Sequence, residues 1–426
     1  MLFPPVFSAI PEPRQLSKVT YPIAALAFTG ILMFLTRLGA RRQIGLLLRS
    51  QASQQKFLNL FGVSVPHGDT LNAVFASIDP QEFQNIVASL VDRLIRKKIL
   101  ASSRLLDRYY LVAIDGTGTL TFHQRHCAHC LTKTQGDTTT YYHPVLEAKL
   151  VTAQGFAFSL HSEFIENTMP GATKQDCELK AFYRLAAKLS ARFPRLPLCL
   201  LLDGLFAGGP TFSLCRSFNW QFIIVLKDAD LPSLNQEFDA LVELEAENNL
   251  LVTSPPPQQR RQHFRWVNDI SYRDSLHHLH SLQVVECREH RGAAASQGKK
   301  FKWVTSFQVQ KSNVLELTNQ GGRVRWKIEN EGFNVQKNGG YRLEHAYSTD
   351  LKSAKIFYYL LQIACILTQL TEHGSLLTAQ FPRGFGSSKN FALLVLEAWR
   401  TCSFDFEHFS AFLRQPFQIR FSFDSS

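Results

Sequence analysis

Acidic residues are in short supply in this 426-residue chain, 35 Asp and Glu against 46 Lys and Arg, for a formal net charge of +11. Such an excess of base favours a polyanionic partner, nucleic acid foremost, over a surface made basic only for solubility. Closely spaced cysteines are also rare: of eight, only Cys127 and Cys130 lie near each other, so no disulfide framework is drawn. There is no internal repeat, which excludes an array of repeated units, and no cleavable signal segment, which leaves a reducing cytoplasm as the expected compartment. Long apolar runs are nearly absent. The run Tyr21 to Leu38 approaches membrane length, but Arg37 interrupts its end, and a buried helix with no membrane partner is expected.

What is present divides the chain into stretches of different texture, enough for two or three cores. Residues 1–105 carry helical periodicity throughout, with a helix start at Asp79-Pro80. Residues 1–110 hold thirteen Lys or Arg against six Asp or Glu. An all-helical N-terminal domain that binds DNA is expected, set against the alternative that Arg93, Arg96, Lys97 and Lys98 form only a solvated helix face.

From Arg108 the pattern becomes strand-like. Tyr109 to Ile114 leads straight into Asp115-Gly116-Thr117-Gly118, and Tyr141 to Val151 and Phe156 to Phe164 flank a turn at Gln154-Gly155. A helix is expected from Lys174 to Arg192, ended by Pro194 and Pro197. The apolar run Leu198 to Leu202 then delivers Asp203, and a helix at Pro210 to Ser217 precedes a strand at Trp220 to Leu226. Three strands, helix, strand, helix, strand, with acids after the first and fourth strands, is the order of a ribonuclease H-like α/β fold, a mixed sheet flanked by helices. Residues 106–230 form its first part. Residues 231–321 read as an inserted β-rich subdomain, with Pro255-Pro256-Pro257 near its start. The second part, 322–382, opens on a helix at Arg325 and includes the apolar helix Leu351 to Leu370, and 383–426 is a helical tail.

An Asp after a buried strand is costly unless it is partnered, and this chain has two, Asp115 and Asp203. Paired carboxylates suit a hard divalent cation such as Mg²⁺, with Mn²⁺ as a substitute, which can activate a hydroxyl at a phosphodiester. The alternative is that each caps a turn beside Gly116 or Gly204. Cys127 and Cys130 have the spacing of half a structural zinc site. His123, His126, His129 and His143 could complete it, against a reduced thiol pair in a polar loop. Cys177, within the expected helix, reads as a packing residue. Of the tryptophans, Trp266 stands among Arg260, Arg261, His263 and Arg265, which suggests an exposed ring able to stack on a distorted DNA end; Trp303 and Trp326 are further candidates, with core packing the alternative for each.

These residues resemble the bacterial insertion-sequence transposases with a DDE site, a ribonuclease H-like core and an inserted β-domain. The resemblance runs through Ala113 to Thr117, Lys174 to Lys180, Pro194 to Gly204, Arg325 to Asn334 and Gly340 to His345. Arg325 and Glu329 fit the Arg-x3-Glu part of the Tyr-x2-Arg-x3-Glu-x6-Lys signature around the third acid. Gly322 takes its Tyr position and Gln336 its Lys position, with Lys337 one residue later. Glu331 stands as a rival to Glu329.

The resemblance implies metal held by Asp115, Asp203 and Glu329 and a DNA contact from Arg325; Trp266, from its basic surroundings, and Lys337, one residue beyond the signature's position, are the further expected DNA contacts. It further implies binding of terminal inverted repeats, strand cleavage and transfer into target DNA, a homodimer in the synaptic complex, and a bacterial, nucleoid-associated location. A ribonuclease H-like nuclease without strand transfer and a non-catalytic DNA-binding descendant are the alternatives.

Overall fold

The computed structural model describes residues 5–167, 175–255, 260–291, 298–375, 377, 381–403, 405, 407, 408, 411 and 421. Lys174, Pro256, Pro257 and residues 404, 406, 409, 410, 412–420 and 422–426 of the expected tail lie outside them. Six helices come first: α1 (Pro5–Ser8), α2 (Ile23–Leu35), α3 (Arg42–Leu47), α4 (Gln51–Phe61), α5 (Gly68–Phe75) and α6 (Pro80–Arg96). α6 starts where the sequence indicates, because the Asp79 side chain accepts a hydrogen bond from the Gln81 amide at 3.0 Å and Pro80 needs no donor partner. Its apolar face, Phe83, Ile86, Val87, Val91 and Leu94, is buried, while Arg93 and Arg96 close its last turn.

The remaining elements are β1 (Tyr110–Phe122), β2 (Leu131–Gln135), β3 (Thr138–Val151), β4 (Ala157–Phe164), α7 (Glu178–Arg192), β5 (Leu198–Leu202), α8 (Gly209–Ser217), β6 (Gln221–Val225) and α9 (Pro232–Leu241), followed by β7 (Asn249–Thr253), β8 (Arg260–Arg273), β9 (Leu279–Arg291), β10 (Lys299–Thr305), α10 (Val335–Asn338), α11 (Leu351–His373) and α12 (Ser388–Thr401). They build a mixed α/β structure on one ten-stranded, mostly antiparallel sheet, ordered β2-β3-β1-β5-β6-β10-β9-β8-β7 with β4 also on β3. Among the described strands, only β1, β5 and β6 run parallel to one another. The strands of the segment 231–321 extend this same sheet, because β10 pairs with β6 from Trp303↔Val225 to Thr305↔Ile223.

Side-chain alternation gives the sheet two cores. Val112, Ile114, Leu200 and Leu202 face the larger one with α2, α6, α7 and α11. Leu111, Ala113, Cys199 and Leu201 face the other, against Val324, Ile328 and Phe333. Burial on both sides explains the uninterrupted apolar run of β5.

α2 is buried as expected, and it approaches α11 closely at Gly30, where a Cβ would lie 2.6 Å from Leu360 Cδ1. Among the described residues one helix, Leu351–His373, is long and apolar enough to cross a membrane, and about two thirds of its most apolar window (67%) is buried inside the protein.

Candidate active site

Asp115 was expected at the end of a strand, yet β1 runs on for seven residues beyond it. The physical reason is unequal pairing on its two sides. The parallel ladder with β5 stops at Ala113↔Leu201, whereas antiparallel pairing with β3 continues through Asp115↔Glu147 and Gly116↔Leu146. Asp115 is therefore released on the β5 side only. Its parity with Leu111 and Ala113 points it to the smaller core, the side covered by the segment 316–334.

That segment is helical but not the regular helix expected from Arg325. It is π-helical at Glu316–Gly321 and Ile328–Asn334, with a 3₁₀ turn at Gly322–Trp326 between them. Arg325, 5% exposed, reaches Asp115 Oδ2 at 3.3 Å with one terminal nitrogen and Glu329 Oε1 at 3.0 Å with the other. Its ring neighbour is Trp326, 4.6 Å from the guanidinium. Glu331 takes a different direction: it pairs with Lys327 at 2.5 Å and its side chain lies against the Gly155 turn.

Asp203 follows β5 and caps the short turn Gly204–Phe206, accepting from the Leu205 amide at 3.0 Å. A fourth carboxylate, which the sequence reading did not single out, approaches from the other face. Glu178, the first residue of α7, sits so close to Gly116 that a Cβ there would lie 2.2 Å from its Oε1. Gly204 is likewise crowded by Asp230, with a Cβ 2.1 Å from Oδ2. Each Asp-Gly pair thus spends its glycine on admitting another carboxylate. The signal available in the sequence was this repeated Asp-Gly, read only as turn chemistry.

Crowding of acids sets the electrostatics. The Asp115 carboxyl is pushed up to about 7 by burial, with Glu329 adding to the rise; Arg325 and the Gly116 amide, 2.9 Å from Oδ1, pull it down without prevailing. Burial and then Asp203 raise Glu178. Arg325 alone does not balance the acids around Asp115, and hard oxygen donors in such surplus suit a divalent cation. The acids are not drawn up as a finished cage: among the described residues, the three-ligand group whose donor atoms all lie within 4.8 Å of one another is Cys127, Cys130 and His143. His143 is the partner that the sequence left open for the two cysteines.

The expected DNA contacts fare unevenly. Trp266 is 2% exposed, inside β8 and packed in the smaller core, which corrects the expectation of an exposed ring; Arg261, His263 and Arg265, three of the neighbours that suggested exposure, alternate with it along the strand. Trp303 is buried too, whereas Trp326 is 50% exposed beside Arg325. Lys337 is half-buried and paired with Glu344 at 2.8 Å. The departures from the signature have packing causes: a Cβ at Gly322 would meet Trp303 Nε1 at 2.5 Å, and Gln336 is buried, donating to Gln362 Oε1 at 2.8 Å. Cys177 is exposed before the first turn of α7 and is not a packing residue.

Residues 5–91, the helical stretch from α1 into α6, match the family model described as DDE_Tnp_1-associated, a domain that accompanies DDE-type transposases. No curated protein matches the chain.

Proposed function

We propose that this chain is a DDE transposase whose reaction centre is Asp115, Asp203 and Glu329. The observation that carries the reading is Arg325, which joins Asp115 of β1 to Glu329 of the 316–334 segment beside the end of the β1–β5 ladder from which Asp203 also emerges. The strand order β4-β3-β1-β5-β6, antiparallel as far as β1 and parallel after it, supports a ribonuclease H-like core. The family match of residues 5–91 supports the transposase reading over an unrelated nuclease.

Asp115, Asp203 and Glu329 would hold Mg²⁺, or Mn²⁺ in its stead. When bound, the ion supplies Lewis-acid activation of an attacking hydroxyl and stabilisation of the leaving oxygen at a phosphodiester. The chain's own part is to aim carboxylates and regulate their charge. Asp115 must give up a proton that burial and Glu329 hold on it near neutral pH, and Arg325 opposes that retention. Glu329 takes the third position in preference to Glu331, which Lys327 engages. The basic N-terminal helices and the exposed Trp326 are proposed to meet the terminal inverted repeats, with two chains holding two ends.

The test is incubation of the full chain with DNA carrying the flanking inverted repeats and Mg²⁺. Cleavage with joining is expected; cleavage alone would indicate a nuclease, and binding alone a non-catalytic descendant. Asp115→Asn and Asp203→Asn should each abolish cleavage while retaining end binding, and normal cleavage by either removes the assignment.

A further inference from the structure

The loop between β1 and β2 carries a second cluster of ligand-type side chains, chemically unlike the acids. Cys127 Sγ lies 3.5 Å from Cys130 Sγ and 3.4 Å from His143 Nε2, and Cys130 Sγ lies 3.2 Å from the same nitrogen. Cys130 is fully buried, His143 is 2% exposed and Cys127 is half-buried. A backbone turn from Cys127 O to the Cys130 amide curls both thiols to one side, and His143 comes from β3, opposite Leu120 of β1.

We propose that Cys127, Cys130 and His143 bind a structural Zn²⁺ ion that ties the β1–β2 loop to β3. Tetrahedral zinc with Zn–S of about 2.3 Å and Zn–N of about 2.0 Å sets ligand separations of roughly 3.8 Å between sulfurs and roughly 3.5 Å between sulfur and nitrogen. The observed triangle is only a few tenths of an ångström tighter.

The surroundings of the histidine match what a zinc ligand needs. Its other nitrogen, Nδ1, is buried without a hydrogen bond and faces Glu166 Oε1 at 3.9 Å, and Glu166 is itself held by Lys355 of α11 at 2.7 Å. A carboxylate behind a histidine fixes its tautomer and raises its basicity as a ligand. Three protein donors leave one position of the tetrahedron to solvent or to His129. The Nδ1 of His129 is 2.7 Å from the Asn167 carbonyl oxygen, while Asn167 donates to the Cys130 carbonyl at 3.0 Å. With Nδ1 so engaged, Nε2 is the nitrogen His129 has to offer.

Thiolate and imidazole donors select zinc over Mg²⁺, so this site and the carboxylate site are loaded independently. Its consequence is mechanical. β1 runs from Asp115 to Phe122 and enters the loop directly, so the ion would fix the far end of the strand that carries the first acid.

Zinc should be measured in the full-length protein after exhaustive dialysis, with Co²⁺ exchanged in for spectroscopy. About one zinc per chain is expected, with intense visible bands of tetrahedral cobalt and a thiolate-to-cobalt charge-transfer band. Cys127→Ser and His143→Gln should each lower retained zinc at least tenfold, while Cys177→Ser, an exposed cysteine outside the cluster, should keep it. Chelation of the wild type should speed tryptic cleavage at Arg125. Wild-type protein that retains well below one zinc per chain after dialysis, or cobalt spectra without thiolate bands, would overturn the proposal, and neither readout depends on DNA cleavage or on a variant folding.

Discussion

Replacing Asp115 by Asn should make the protein more stable even as it removes the first acid of the proposed centre. The folded state holds the Asp115 proton up to about 7, against an ordinary value of 3.8. About three pKa units correspond to roughly 4 kcal/mol by which the ionised form is disfavoured on folding. The sign follows from proton binding: between pH 4 and 7 the folded chain retains a proton that the unfolded chain has lost, so stability falls as pH rises through that window and levels off above it.

Asn keeps the shape and has no proton to lose, so the variant's advantage should be nil near pH 4, about half developed near pH 5.5 and complete by about pH 8. Arg325 keeps Glu329 and loses one charged partner, but its pull on the Asp115 carboxylate is already contained in the value of about 7. The gain at pH 8 is then on the order of 4 kcal/mol, a rise in Tm of roughly 10 °C at about 2–4 °C per kcal/mol. Chemical and thermal unfolding at pH 5.5 and pH 8, with cleavage assayed alongside, gives the comparison. A variant less stable than wild type at pH 8, or an advantage equal at the two pH values, would refute the reasoning.

Three further outcomes are expected. Glu329→Gln should lower cleavage at least about a hundredfold while Glu331→Gln stays close to wild type, since one glutamate shares Arg325 with Asp115 and the other answers Lys327; the reverse order in a cleavage assay would exchange their roles. Gly116→Ala should destabilise by about 1–3 kcal/mol through its clash with Glu178, and adding Glu178→Ala should recover most of the loss in a double-mutant cycle; simple additivity would separate the two residues. Trp266→Ala should cost about 3–5 kcal/mol in denaturant unfolding and leave DNA affinity per folded molecule unchanged, and selective loss of binding at full stability would reinstate the ring as a DNA contact.

Much of the fold was legible because local chemistry and burial pattern agree. Asp79-Pro80 starts α6, Gln154-Gly155 turns β3 into β4, and the five apolar residues Leu198 to Leu202 form β5 with both faces covered. Trp266 misled because its basic neighbours were read as the face it occupies, when in a strand adjacent residues point to opposite faces. β2 went unseen because a strand of Leu131-Thr132-Lys133-Thr134-Gln135 buries little and is held by pairing with β3.

The sequence by itself determined which acids follow or interrupt apolar strands, and the Arg325-to-Glu329 spacing that lets one guanidinium serve one glutamate. Only the tertiary structure decided what those groups meet. Asp115 and Arg325 are separated by 210 residues and come together because β1 outruns its pairing with β5 on the face that the 316–334 segment covers. Glu178 reaches the site from the opposite face because Gly116 has no side chain, and His143 reaches Cys127 and Cys130 because β3 runs antiparallel to β1. Each meeting depends on register across the sheet, and no local spacing encodes register between strands so far apart in the chain.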